Sequence, residues 1–407
     1  MSSPDNPIVL AFSGGLDTSF CVPWLAETYQ RPVVTATVNT GGLDQAASQA
    51  LAEKARALGA VEHIEIDARE EFFDSVLKYL IIGNVRRGNL YPLCVGAERG
   101  VQARHLATAA KQFGSSTVAH GCTAAGNDQV RFEIILKALA PGLEVLAPVR
   151  DQNFARDTQL EYLADHGMPV PARGSAYSIN RGLWGVTIGG TETLDSKSSI
   201  PESAWVLSSG ALAQGNPPKS IEIGFEQGVP VTLNGKALSP VALIEQLETM
   251  GAAYAIGRGI HLGDTILGTK GRVAFEAPAA AILIDAHREL EKLTLGPLQS
   301  RFKDPLALGY GDLIHEGKQL DPVCADIEAY FRSSQRRVSG QVFVELRPGS
   351  LFVTGVSSPF SLMAASRGKY GESAGEWSSS DAVGFSRILA LPGMLHARAG
   401  QMAGEES

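Results

Sequence analysis

From Ile8 to Asp165, short runs of β-branched and aliphatic residues alternate with longer stretches whose apolar positions recur every three or four residues. Ile8 to Phe12, Val33 to Val38, His63 to Ile66, Thr117 to His120 and Val145 to Pro148 are the predicted strands. Between two of them, Gln45 to Leu58 (QAASQALAEKARAL) has helical spacing and stops at Gly59, a residue that readily takes the left-handed conformation closing many helices. Repeats of strand, helix and strand wind right-handed into one parallel sheet. Ligands of such sheets bind beyond the carboxyl ends of the strands, so chemistry is expected in the loops that follow them.

The periodicity breaks between Pro169 and Pro218, where Gly, Ser and Pro are frequent, and this stretch reads as a long irregular connection. Beyond it, Ile221 to Phe225 and Val229 to Leu233 are predicted strands, with a turn at Asn234-Gly235 leading into Lys236 to Leu238. Helices are predicted over Pro240 to Met250, Pro278 to Leu295 and Pro322 to Arg337, followed by a hairpin, QVFVEL-RPGS-LFVTGV, turning on Pro348-Gly349. From Pro392 on, the chain has too little apolar surface to fold alone, and is expected to fray or to dock on another subunit. The expected fold is α/β, with a doubly wound parallel sheet in residues 1–168, an α+β domain in residues 169–390 and a tail in residues 391–407.

Composition narrows the function classes. A chain of 407 residues exceeds one ordinary core, which agrees with two domains. The net charge of −8 argues against a nucleic-acid partner, because phosphate binding needs clustered Lys and Arg. The opening MSSPDNPIVLAF lacks the basic start and apolar run of a signal peptide, and no stretch approaches the ~18 uninterrupted apolar residues of a membrane span. No membrane and a cytoplasmic location are therefore expected. Cys21, Cys94, Cys122 and Cys324 form no CxxC pair and are read as free thiols, and the histidines show no HExxH, so no protein-bound metal site is expected.

Two runs carry the chemistry. In IVLAFSGGLDTSF, an apolar strand enters Ser13-Gly14-Gly15-Leu16-Asp17-Thr18-Ser19. Two glycines, a helix start and two hydroxyls in its first turn present N–H donors and a positive dipole end, an arrangement suited to phosphate. The same residues also suit a ligand-free strand-to-helix turn, with Asp17 capping its helix. Pro23 fits a helix beginning near Ser19; a start at Asp17 would place it in the interior. The loop is neither a Walker loop, for want of its lysine, nor a GxGxxG fingerprint. The second run, AHGCTAAGNDQVRFE from Ala119 to Glu133, sets Thr123, Asn127, Asp128, Gln129 and Arg131 after a predicted strand. It offers hydrogen-bonding groups and one fixed cation for an amino-acid zwitterion, or a helix N-terminus capped by Asn127 or Asp128.

SGGLDTS closely resembles the SGGxD[ST]S loop of ATP pyrophosphatases, and within them the argininosuccinate synthases. The second run is similar to that family's HGxTGKGNDQVRFE. The resemblance implies an adenine nucleotide alpha-hydrolase-like ATP domain, a synthetase and multimerisation domain, a homotetramer, and ligation of citrulline to aspartate, with ATP cleaved to AMP and pyrophosphate. It implies an ATP site of Ala11, Phe12, Ser13, Gly14, Gly15, Leu16, Asp17, Thr18, Ser19, Val38 and Gly121, with Mg²⁺ accompanying the nucleotide. Aspartate would be held by Thr123, Asn127 and Asp128, and citrulline by Tyr91, Asn127, Arg131, Ser178 and Thr187, with Asp17, Asp128 and Arg131 at the reacting centre. Ala124-Ala125 replaces the family's Gly-Lys. Gly96, Gly263 and Phe275 stand where serine, glutamate and tyrosine are usual, and Asp264 is expected to supply the carboxylate missing at Gly263. These departures leave open a related ligase with another ureido or amide acceptor, or a nucleotide sensor. A tRNA thiolase or a glutamine-fed amidotransferase would need cysteine pairs or a glutaminase domain that the sequence does not show.

Overall fold

A computed structural model describes residues 6–169 and 177–404, which form two compact units, Met1–Pro359 and Phe360–Ser407. The first sheet of the larger unit contains β1 (Ile8–Ala11), β2 (Val33–Asn39), β3 (Glu62–Asp67), β4 (Thr117–Ala119) and β5 (Glu144–Leu146). All four pairings are parallel and the order is β3-β2-β1-β4-β5. The five predicted strands agree with these to within two residues. Alternation along β1 sends Ile8 and Leu10 to one face, where they join Phe20, Val22 and Leu25 of the helix Leu16–Tyr29. Val9 faces the other way, with Ala103 and Leu106 of the helix Arg99–Gln112 and Phe132 of the helix Asp128–Leu139. Helices on both faces make the sheet doubly wound, as expected.

The first helix opens at Leu16, not near Ser19, so Pro23 lies in its interior and cannot donate to the Ser19 carbonyl. Its N-cap is Gly15 with no side-chain cap, so Asp17 sits in the first turn without capping it. The helix Gln45–Ala57 ends near its predicted place, with Gly59 at φ 94°.

The rest of the larger unit is built on two antiparallel sheets. One is ordered β11-β12-β7-β6, from β6 (Tyr177–Gly182), β7 (Gly185–Gly190), β11 (Arg258–Asp264) and β12 (Lys270–Glu276). The other is ordered β10-β9-β8-β13-β14, from β8 (Lys219–Glu226), β9 (Val229–Leu233), β10 (Lys236–Ala237), β13 (Gly340–Arg347) and β14 (Ser350–Ser357). The stretch expected to be an irregular connection is therefore partly a packed hairpin. Its residues 170–176 lie outside the described residues, but β6 and β7 pair through Ser178 and Gly189, and Val186 and Ile188 are buried with Trp205 and Ala274. Glycine content hid two buried aliphatics that only cross-strand neighbours make decisive.

The helices Pro240–Ala252, Pro278–Thr294 and Pro322–Ser334 match expectation, whereas Pro297–His315 was not predicted because Pro305, Gly309 and Gly311 interrupt its pattern. In the smaller unit a helix over Ser379–Met402, with Pro392 inside it, stands where a tail too weak to fold was expected. No helix among the described residues is long and apolar enough to cross a membrane.

The largest core crosses the expected boundary at residue 168. Phe72, Leu77, Leu80 and Val101 share it with Ile223, Ile282, Leu290 and Phe331. Within this core lies a polar cluster. Glu291 accepts from Lys303 at 2.8 Å, Asn84 at 2.5 Å and Gln335 at 2.6 Å, and His287 bridges Asn84 and Gln335. Burial, with Lys303 nearby, holds His287 neutral, at about 4, although Glu291 pulls the other way. Lys303→Ala leaves the Glu291 carboxylate buried without its cation and is expected to destabilise the fold by about 3–5 kcal/mol, read as a lowered Tm relative to the wild type.

Candidate active site

The order β3-β2-β1-β4-β5 reverses direction between β1 and β4, and at such a switch point the loops that follow the two strands diverge and leave a crevice. Both motif runs sit there. A cavity of about 870 Å³ opens at this point, lined by the β1 loop, the β4 loop, the segment after β2, and residues of β6, β7, β11 and β12. Of the expected positions, Ala11, Phe12, Ser13, Gly15, Asp17, Thr18, Val38, Gly121 and Thr123 line it. So do Asn127, Asp128, Tyr91, Arg131, Ser178, Thr187 and Asp264. Leu16 instead faces the core, and Ser19 is fully buried with its hydroxyl donating to the Gly14 carbonyl at 3.3 Å.

The β1 loop has the shape its glycines require. Gly14 has φ 71°, a left-handed conformation that strains any residue with a side chain, and a Cβ there would also have to displace the Leu51 methyl Cδ1. Lys54 donates to the Gly14 carbonyl at 2.5 Å, fastening the loop to the next helix. Ser13 and Thr18 approach through their hydroxyls at 3.2 Å. With no side chain capping the helix Leu16–Tyr29, its first N–H groups are left to an anion. Gly121 packs on this turn, since a Cβ on it would stand 3.0 Å from Thr18 Cγ2 and 3.1 Å from the Thr18 nitrogen. Burial raises the pKa of Asp17, and Gln159 and Arg156 oppose that rise.

The β4 loop is held by charge. Neither Asn127 nor Asp128 caps the helix Asp128–Leu139 with its side chain. Asn127 Oδ1 accepts from the Ile266 N–H at 2.9 Å, which ties this loop to the β11–β12 turn. Asp128 pairs with Arg131 at 2.6 Å through one oxygen and with Arg99 at 3.0 Å through the other. Burial alone would raise this carboxyl, but the two guanidiniums overcome it and hold it at about 2. Arg131 continues the chain, donating to the His315 carbonyl at 2.7 Å, with its second nitrogen 3.2 Å from His315 Nδ1. Burial, and then the Arg131 charge, keep His315 neutral, down at about 3. At the other end Arg99 donates to Glu98 at 2.8 Å, and Thr40 donates to the second Glu98 oxygen at 2.8 Å.

The citrulline-side positions converge as well. Tyr91 donates to the Cys94 carbonyl at 2.5 Å and stacks on His261 at 5.4 Å. Ser178 lies on β6 and Thr187 on β7, with Thr187 beside Phe275 in the pairing with β12. Asp264 does not take the place of a side chain on Gly263. Neighbouring residues of a strand point to opposite faces, and Asp264 pairs across the hairpin with Lys270. The sequence reading missed Lys54, Thr40, Glu98, Arg99, Arg87, His261 and His315. Glu98 and Arg99 stood inside the run around Tyr91, but their value depends on Asp128 and Thr40 meeting them in space.

A model of the arginosuccinate synthase N-terminal HUP domain matches residues 7–169, and one of the arginosuccinate synthase C-terminal domain matches residues 177–396. The chain belongs to the argininosuccinate synthase family. It is 38% identical over 395 residues to the argininosuccinate synthase of Dictyoglomus turgidum, covering 97% of this chain and 98% of the relative. It is 37% identical over 402 residues to that of Xanthomonas campestris, covering 98% and 99%. With that of Methanocaldococcus jannaschii it shares 36% over 388 residues, covering 95% and 97%. The family's parallel-sheet domain and its antiparallel second part are those described above.

Burial pushes the Glu98 carboxyl up to about 7, against the pull of Arg99 and Thr40. The folded protein therefore keeps a proton on Glu98 that the unfolded chain, with an ordinary glutamate, releases above about pH 4.3. The associated stability is present below the unfolded value and lost as pH rises through 7. Glu98→Gln is expected to have a higher Tm relative to the wild type at pH 8 than at pH 5; a difference that is the same at both would overturn this assignment.

Proposed function

We infer that the protein joins L-citrulline to L-aspartate, converting ATP to AMP and pyrophosphate and releasing argininosuccinate. The observation that carries this reading is the meeting of an uncapped, glycine-built anion loop and the Asn127–Arg131 cluster in one cavity at the β1/β4 switch point. Residues 1–168 supply the nucleotide half, residues 169–390 complete the acceptor wall and the multimer, and residues 391–407 form a tail. The oligomer is a homotetramer and the compartment is the cytoplasm.

Chemistry at this site is mostly positioning. The N–H groups of Gly14 to Ser19 and the hydroxyls of Ser13 and Thr18 receive the pyrophosphate half of ATP. Mg²⁺ would accompany the triphosphate and would neutralise part of its charge, and Asp17 is the carboxylate that would orient it. The ureido oxygen of citrulline attacks the α-phosphorus, the bond from α-phosphorus to the bridging oxygen breaks, and pyrophosphate leaves to give a citrullyl-adenylate. The amine of aspartate then attacks the activated carbon; Thr123 and the Asn127 amide N–H groups hold its carboxylates, and Asp128, itself a carboxylate, accepts from the amine. That carbon loses AMP, and the amine loses its proton. Arg131, with both ends of its guanidinium fixed, is a preorganised donor beside the reacting groups. Tyr91, Ser178 and Thr187 form the citrulline side.

A second reading, favoured by Gly96, Gly263 and Phe275, keeps both half-reactions and takes another ureido or amide acceptor. AMP and pyrophosphate release with Mg-ATP is expected only when citrulline and aspartate are both present, with argininosuccinate in equal amount. AMP formed without aspartate, or nucleotide bound with no turnover, would sink the ligase reading. Thr123→Val is expected to raise the KM for aspartate about tenfold, ~1.4 kcal/mol, while the KM for ATP stays within twofold.

A further inference from the structure

Arg87 lies against the wall of the cavity formed by β6, β7, β11 and β12. Its Nε pairs with Asp312 at 3.3 Å, and its terminal nitrogens donate to the Asp264 carbonyl at 3.0 Å and stand 3.5 Å from His261 Nε2. His261 and Arg87 fill the space a side chain at Gly263 would use, since a Cβ there would meet His261 Nε2 at 2.5 Å and an Arg87 nitrogen at 2.8 Å. At Gly96 a Cβ would stand 3.3 Å from the Arg131 guanidinium carbon, so that gap too is bordered by a cation. Phe275, packed edge-on against Tyr91 at 5.2 Å, offers no hydroxyl.

The carboxylates that line this part of the cavity are already engaged by the chain's own cations. Asp264 is paired with Lys270, Asp128 holds Arg99 and Arg131, and Glu98 holds Arg99. An ammonium group placed here would meet Arg87 with no anion of its own, and like charges in a partly desolvated site repel. A carboxylate in the same place would gain a charge-assisted bond from a guanidinium that still has N–H groups to offer.

We propose that the acceptor is recognised as a ureido acid through its carboxylate, held by Arg87, with no grip on an α-ammonium. Ureido acids whose α-nitrogen is absent or acylated are then used as readily as citrulline itself. The proposal rests on the ligase reading and names the substrate class of the same site.

The test measures AMP release by the full-length protein at saturating Mg-ATP and aspartate, with citrulline, 5-ureidopentanoate, Nα-acetylcitrulline and N-butylurea as acceptors. The kcat/KM for 5-ureidopentanoate and for Nα-acetylcitrulline is expected to lie within threefold of the citrulline value or above it, and that for N-butylurea at least a hundredfold below it. A value for either acid more than threefold under that of citrulline overturns the proposal, as does N-butylurea used above that limit. Arg87→Leu is expected to raise the KM for 5-ureidopentanoate tenfold or more while kcat and the KM for ATP stay within threefold, and Arg87→Lys to recover part of that loss. An unchanged KM in Arg87→Leu, or a loss of kcat that Arg87→Lys does not relieve, overturns the role of Arg87. AMP from none of the four acceptors removes the ligase reading and this proposal with it, whereas AMP with citrulline alone removes only the proposal.

Discussion

The hydrogen-bonded chain running from Glu98 through Arg99, Asp128 and Arg131 to His315 is the constraint on which the site depends. The two guanidiniums are buried, whereas the Asp128 side chain is 33% exposed, and a buried ion without its partner costs several kcal/mol, so Arg99 and Arg131 hold Asp128 in place between them. The members come from the N-terminal ends of the helices Arg99–Gln112 and Asp128–Leu139 and from the C-terminal end of Pro297–His315. Three helices distant in sequence are thereby registered around one crevice. Asn127, one residue from this chain, inherits that register and passes it to the β11–β12 turn through Ile266.

The β1-loop end of the cavity is held differently. Its backbone path depends on Gly14 in the left-handed region and on the Lys54 bond to the Gly14 carbonyl, and the donors it offers are mostly backbone N–H. Burial lowers the Lys54 pKa, so this ammonium is partly desolvated where it meets the loop. One half of the cavity thus presents dipoles, suited to a ligand that carries its own charge and cation, and the other presents fixed side-chain ions, suited to smaller polar groups that must be oriented.

The acceptor wall departs from the family pattern by subtraction and refilling. Gly96 and Gly263 remove side chains, Phe275 removes a hydroxyl, and His261 and Arg87 occupy the room left. Arg87 belongs to the segment between β3 and the helix Arg99–Gln112, and its partner Asp312 comes from Pro297–His315, so the refilling joins distant parts of the chain. The same packing makes Phe72 to Val101 part of the large core shared with the second half of the chain.

Local patterns in the sequence determined much of this protein. The continuous apolar run of β1, the helical spacing of Gln45 to Leu58, and the residues of SGGLDTS and GNDQVRFE are short-range facts, and they located the parallel sheet, the switch-point loops and the family. What local pattern could not carry was left to the tertiary structure. The β6–β7 hairpin looked like a loop because its glycines outnumber Val186 and Ile188, whose worth appears only when Trp205 and Ala274 cover them. The helix Pro297–His315 was masked by Pro305, yet packing holds it. Asp264 looked adjacent to Gly263, but the two-residue period of a strand sends it to the opposite face. Glu98 and Arg99 carry no local signal, and their role appears only where Asp128 and Thr40 meet them from elsewhere in the chain. Sequence spacing decides which groups can share one element; only the meeting of distant elements decides which charges are buried together, and buried charge is what makes the site.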